Sequence, residues 1–155
     1  MLKVYIWLPD GKYIGHASLS FQGNYVSFWP EDIAGKKDLK IKSNSHPGAF
    51  MSALKEDIKN EGDRQPIVVT INEINEEKLA FHIAELMSNT PRYQLARNNC
   101  SHIVAECLAV ACDKKPGFTP SASNYSKYLG STLGRGIWTP HDILRYAQEL
   151  SVNIV

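Results

Sequence analysis

The sequence predicts an α+β domain in which an antiparallel β-sheet packs against helices. Three observations carry that expectation. Three aromatic and β-branched runs near the N-terminus are separated by tight-turn signals. Past residue 75 the apolar residues instead recur at helical spacing. The 155 residues are 43% hydrophobic and 21% charged, enough for one core spanning 1–155.

In Leu2–Leu8, Val4, Ile6 and Leu8 alternate with Lys3, Tyr5 and Trp7, a strand pattern that ends at the turn signal Pro9-Asp10-Gly11. Tyr13–Phe21 resumes the extended pattern, Gln22-Gly23-Asn24 is a second turn, and Tyr25–Trp29 is the third run of the meander. Residues 30–47 read as a long loop. Its Lys36–Lys42 stretch holds four lysines and one aspartate, a solvated loop or a patch for an anionic partner. Phe50, Leu54 and Ile58 predict a helix over Ala49–Lys59, with Gly62 as its stop. Pro66–Ile71 reads as a short buried strand. Asn75 caps the next helix, whose first turn holds Glu76 and Glu77 and whose stripe is Leu79, Ile83 and Leu86; Pro91 ends it.

Tyr93-Gln94-Leu95 leads as an extended link into Asn98-Asn99-Cys100-Ser101-His102, where another helix opens. Cys100, Ile103, Val104, Cys107, Leu108 and Ala111 form a single buried face at i, i+3, i+4, i+7, i+8 and i+11. A Pro/Gly loop over 114–120 precedes a short helix over Ser121–Leu133, broken by Gly134 and Gly136. Thr139 as N-cap with Pro140 behind it starts the last helix, through Ile143, Leu144, Ala147 and Leu150.

Seventeen Lys+Arg against sixteen Asp+Glu give a net charge of +1, too balanced for a dedicated nucleic-acid or membrane-surface binder. No apolar run approaches the ~20 residues a helix needs to span a bilayer. MLKVYIWLPDG lacks the apolar stretch and cleavage site of a secretion signal, so the expected location is cytoplasmic, or exported by a signal-independent route. Three cysteines make no disulfide framework and fit a reducing compartment.

The chemistry concentrates at Cys100. A helix N-terminus favours the thiolate, the form of cysteine that acts as a nucleophile. Cys100 stands in the first turn and on the inward stripe, so it faces the sheet. Asn98 or Asn99 could cap the helix or direct a side-chain amide at a developing oxyanion. Cys107 and Cys112 lie further along the helix and read as core.

Such a thiol needs a base, usually histidine. Of five histidines, His102 falls on the wrong side of the helix and reads as solvated. His82 reads as a boundary residue, His141 as a polar first-turn residue and His46 as a loop residue. His16 is different: it stands early in the second strand, where propensity does not call for it, beside Gly15, which permits close backbone approach. Its second ring nitrogen needs a partner. A Gly23-Asn24 turn would pair residues whose numbers sum to 47, placing Glu31 opposite His16. A one-residue slip would favour Pro30 or Asp32, and Ser27 is a further polar candidate. No CxxC, HExxH, GxGxxG, Walker A or GxSxG pattern occurs, so neither metal nor cofactor is expected.

Gly15-His16-Ala17-Ser18-Leu19 followed by an aromatic strand, with Asn99-Cys100-Ser101-His102-Ile103-Val104 opening a later helix, resembles the circularly permuted papain-like thiol hydrolase superfamily. That group includes lecithin–retinol acyltransferase-like enzymes, PPPDE isopeptidases and NlpC-like endopeptidases. The second segment is similar to the Asn-Cys-x-His-Phe-Val stretch of the acyltransferase-like enzymes. The resemblance covers roughly residues 2–30 and 93–112. It implies a permuted papain-like fold, with Cys100 as nucleophile and His16 as base. The acyltransferase-like enzymes carry a second histidine one strand further on, near Phe28 here, and often a membrane-anchoring tail. Neither is read in this sequence, which favours amide-bond hydrolysis over lipid acyl transfer. A small enzyme of this kind also resembles bacterial effectors or toxins built on papain-like cores.

Three functions remain open at this stage. The first is a cysteine-dependent amide hydrolase (peptidase, isopeptidase, amidase or deamidase) acting on a protein or peptide. The second is a thioester-forming acyltransferase or phospholipase of the same fold. The third is a non-enzymatic interaction module using the Lys36–Lys42 loop with Trp7 and Trp29. The sequence does not set an oligomeric state.

Overall fold

Strand β1 (Leu2–Trp7) lies at the centre of the chain's larger sheet, between β2 (His16–Phe21) and β6 (Ile67–Ile71). The computed structural model describes residues 1–10, 13, 15–31, 45–94, 98–121 and 136–151. Sheet order is β3-β2-β1-β6, with β3 spanning Asn24–Val26, and every pairing is antiparallel. A second antiparallel sheet orders β4 (Phe28–Pro30), β5 (His46–Phe50) and β7 (Arg92–Tyr93). The helices are α1 (Leu54–Asn60), α2 (Glu76–Ser88), α3 (Cys100–Cys112) and α4 (Pro140–Ser151). The α+β class with an antiparallel N-terminal meander is as the sequence predicts.

Helix α3 packs on β2 and β4 and against α2 and α4, while α4 covers β1 and β6. All six residues of the predicted α3 stripe are buried, and Ser101 and Ala105 join them because neighbours close on more than one side of the helix. One buried cluster joins Leu2, Val4 and Ile6 of β1 with Leu19, Phe21, Ile103, Leu108 and Ile143. Fully burying side chains of this size contributes about 1.5–3 kcal/mol each, so this cluster anchors α3 to the sheet. Asn75 accepts from the Lys78 amide (3.0 Å) and caps α2 as expected. Thr139 and Asp142 cap α4 reciprocally, through Asp142 N–H to Thr139 Oγ1 (3.3 Å) and Thr139 N–H to Asp142 Oδ2 (3.2 Å).

The meander differs from expectation in two ways that matter for the site. Its second turn is Gln22-Gly23, with φ of 50° and 79°, the doubly left-handed form of the tightest hairpins. Phe21 therefore pairs with Asn24 and Leu19 with Val26, so facing residues sum to 45 and not 47. The third run is also not one strand. It leaves the first sheet after Val26 and enters the second at Phe28, with Ser27 at the bend and its carbonyl accepting from Met51 N–H (2.8 Å).

The helix expected over Ala49–Lys59 begins only at Leu54. Residues 46–50, including His46, form β5 because Phe28 pairs with Phe50 and Trp29 with Ala49, a tertiary pairing that overrides local periodicity. The lysine-rich stretch at 36–42 lies outside the described residues, as does all but Ser121 of the helix expected over Ser121–Leu133.

Candidate functional site

Gly15 brings His16 to its place. Its φ of +89° and the closeness of Trp7 O, 2.5 Å from where a Cβ would sit, let the chain enter β2 tight against β1. His16 then pairs with Trp7 across the strands and is 1% exposed. Its ring lies between two indoles, stacked on Trp29 (centroids 4.3 Å, 18°) and tilted against Trp7 (5.7 Å, 40°). Packing on both faces leaves only the ring edge, with its two nitrogens, for polar contacts.

Cys100 reaches the same place from the helix side. Asn99 is the N-cap, its Oδ1 accepting from His102 N–H (3.0 Å) while His102 Nδ1 accepts from Asn99 N–H (3.2 Å). This capping box fixes where the helix starts. It also corrects the reading of His102, which is half-buried as a cap partner and not part of a solvated face; burial lowers its pKa to about 4. Cys100 becomes the first residue of α3, 9% exposed, and its thiol meets the His16 imidazole and the Ala17 amide.

The partner of His16 is Asp57, not Glu31. Glu31 follows β4 as an exposed residue whose N–H bonds to Pro47 O (2.8 Å). The observed hairpin register differs by two residues from the one expected and takes Glu31 away from His16. Asp57 is the one fully buried residue of α1 and has 0% exposure. Its Oδ2 lies 3.4 Å from His16 Nε2 and accepts from Ser27 Oγ and from Tyr25 OH (2.5 Å), while Oδ1 accepts from Trp29 Nε1 (2.8 Å). Ser27 Oγ is 2.8 Å from His16 Nε2. Arg64 ties the segment after α1 to the end of β1, donating to Leu8 O (2.8 Å) and Glu61 O (2.9 Å), and Trp7 Nε1 donates to Arg64 O (2.9 Å). With Nε2 engaged by hydroxyl and carboxylate, Nδ1 is the nitrogen left for the thiol.

Burial alone would push the Cys100 thiol up. The positive His16 ring and its hydrogen bond outweigh that, with help from the Ala17 amide and Ser101, and the pKa falls below the ordinary thiol value. His16 shows the converse: burial lowers its pKa, but the charge of Cys100 and the bond to Asp57 outweigh burial and raise it. Burial likewise works against an ionised Asp57, and its bonds to His16, Ser27 and Tyr25 hold it below the usual carboxylate value. The three groups titrate as one coupled system, each shifted toward its charged form by the others. The other cysteines are internal controls. Cys107, on the same helix but without a cation, is driven up to about 12, chiefly by burial, and burial also raises Cys112. Cys107 is core as expected, whereas Cys112 is half-buried beside Glu73 O.

Asn99 Nδ2 donates to Trp138 O (3.0 Å) and Asn98 Nδ2 to Arg92 O (3.0 Å), each bond using one of the two amide hydrogens; Asn99 caps the helix and Asn98 braces the chain before it. Both tryptophans offered as a partner surface belong to this site: Trp7 is 1% exposed, and Trp29 stacks on His16. Among the described residues, no three His, Cys, Asp or Glu side chains are arranged to hold a metal ion, and no helix is long and apolar enough to cross a membrane.

Asp57 escaped the sequence reading because Lys55-Glu56-Asp57-Ile58-Lys59 looks like a solvated helix face. A signal was present. Asp57 is three residues after Leu54, on the apolar side of α1, where a carboxylate is out of place unless it has a partner. A scan of family models, a search of curated proteins and a search of solved structures each return no match for this chain.

Proposed function

We propose that this protein is a cysteine-dependent hydrolase of amide bonds, with Cys100 as nucleophile, His16 as general acid and base, and Asp57 as the carboxylate behind the histidine. One observation carries the reading: a buried thiol at a helix start, a buried imidazole and a buried carboxylate meet from three separate elements, with burial opposing every one of their charges. Charges brought together against that cost suit a reacting centre better than a structural core. The sequence resemblance to permuted papain-like enzymes supports the same assignment.

In this mechanism the Cys100 thiolate attacks the amide carbonyl carbon. The C–S bond forms as the carbonyl π electrons move onto oxygen. The Cys100 N–H, the first of α3, and the positive end of that helix stabilise the oxyanion. His16 Nδ1–H protonates the leaving nitrogen, the C–N bond breaks, and a thioester on Cys100 remains. Water, deprotonated by His16 Nδ1, attacks the thioester; the acid departs and the thiolate returns. Asp57 keeps the His16 ring oriented and its cationic form stabilised.

The thioester can be trapped. Wild-type protein is mixed with a library of α-, γ- and ε-linked peptide amides, quenched in acid, and its intact mass recorded. The expected result is an added acyl mass on the Cys100 peptide, removed by hydroxylamine and absent in Cys100→Ala. Hydrolysis that persists in Cys100→Ala would overturn the assignment.

A further inference from the structure

The contact between His16 and Asp57 is not the simple pair of a catalytic histidine and its carboxylate. The single Nε2 position of His16 has two oxygens in reach, Ser27 Oγ at 2.8 Å and Asp57 Oδ2 at 3.4 Å. The first is a full hydrogen bond; the second is at the weak limit of one. Ser27 has 0% exposure, so its hydroxyl must find its partners inside the protein.

The direction of each bond follows from Asp57. An ionised carboxylate only accepts, so Ser27 gives its proton to Oδ2, and its oxygen is then free to accept from His16 Nε2–H. Tyr25 also donates to Oδ2, so the Ser18–Tyr25 contact (2.7 Å) runs from Ser18 to Tyr25. Trp29 Nε1 donates to the other carboxylate oxygen. Two hydroxyl chains and an indole thus converge on one carboxylate, and one of the hydroxyls stands between it and the histidine.

We infer that Ser27 is a positioning residue that couples Asp57 to His16 through its hydroxyl, making the site a four-membered Cys100–His16–Ser27–Asp57 chain. Ser27 sits at the bend where the chain passes from the first sheet to the second, which aims its side chain at the ring edge of His16. Its single oxygen selects the His16 tautomer with the proton on Nε2 and so leaves Nδ1 as base toward the thiol. No proton need leave His16 through this route: Ser27 carries the orienting dipole, and Asp57 supplies the charge behind it.

This inference rests on the proposed hydrolase site, and its test separates the two. Cys100 alkylation by iodoacetamide is followed against pH in wild type and in Ser27→Ala, with melting curves to confirm the fold. Removing a hydrogen bond to the imidazolium is expected to move the inflection up by about one pH unit and to slow turnover about ten- to a hundredfold. A depressed wild-type inflection that Ser27→Ala leaves in place would overturn the relay alone. A wild-type inflection already at the free-thiol value would overturn relay and site together. Should Ser27→Ala not fold, wild-type protein labelled with 15N-histidine answers the question. The His16 Nε2 proton is expected to show a nuclear Overhauser contact to the Ser27 β-protons, and a contact to Asp57 without one to Ser27 would contradict the relay.

Discussion

Replacing Cys100 with alanine is expected to abolish turnover, a loss on the order of 10⁴-fold or more, while stability changes by no more than about 1–2 kcal/mol. The two halves of that result have separate causes. Every covalent step requires the thiolate, and the neighbouring Ser101 hydroxyl, its Oγ 3.9 Å from the sulfur, is a far weaker nucleophile than a thiolate. The stability term is small because the side chain is short and its charge is conditional. When the thiolate is removed, His16 need not remain a buried cation. It releases its proton and stays neutral between Trp7 and Trp29, bonded to Ser27. Turnover on a peptide-amide library and urea unfolding of the two proteins read these halves independently.

Asp57→Ala is expected to have the largest effect on stability, about 3–5 kcal/mol, or a melting temperature lower by roughly 10 °C. The carboxylate accepts from Ser27, Tyr25 and Trp29 and faces His16. Its loss removes the acceptor that Ser27, Tyr25 and Trp29 share and leaves His16 without its buried counter-charge, and each donor that finds no other acceptor costs about 1–3 kcal/mol. Asp57→Asn is expected to fall between. An amide keeps one acceptor oxygen, which the donor-only Trp29 N–H requires; its NH₂ then faces the Ser27 and Tyr25 hydroxyls, which must turn from donating to accepting. The pH dependence has a definite sign. The folded pKa of Asp57 lies below the unfolded reference of 3.8. Its stabilisation is therefore complete above that value and is lost as the pH falls through the folded pKa. Acid unfolding curves of wild type should show this component, and those of Asp57→Ala should lack it.

The residues that advertise themselves locally were legible in the sequence. The α3 stripe from Cys100 to Ala111 needs only helical periodicity, and a histidine after Gly15 in an aromatic strand has no propensity reason to be there. Asn98 and Asn99 are both cap candidates by residue type and position, and Asn99 is the one that caps. What remained hidden depends on contacts made across the fold. Choosing between Gln22-Gly23 and Gly23-Asn24 as the turn moves the register by two residues, and that displaced the histidine's partner to Glu31. A two-residue shift preserves which face each side chain occupies, so no alternation pattern could reveal it. Residues 46–50 become β5 only because Phe28 and Trp29 offer them an edge. Ser27 aims at His16 only because the chain changes sheets there. Asp57 was the recoverable miss: a charged residue on the apolar side of a helix asks for a buried partner, and His16, Ser27, Tyr25 and Trp29 are its partners.

The central claim is that Cys100 is ionised by His16, and the pH profile of its alkylation tests it most directly. Iodoacetamide modification of the three cysteines is followed by peptide mass from acid to pH 9, in wild type and in His16→Ala. The account predicts that Cys100 alone reacts at about pH 6 and that its rate is flat above it. Cys107 and Cys112, with thiols raised by burial, stay unmodified there. In His16→Ala the Cys100 inflection is expected to rise to the free-thiol value of about 8.5 or above it, since burial then acts without the cation. A wild-type Cys100 that titrates near that value, or a His16→Ala profile that matches wild type, would contradict the account.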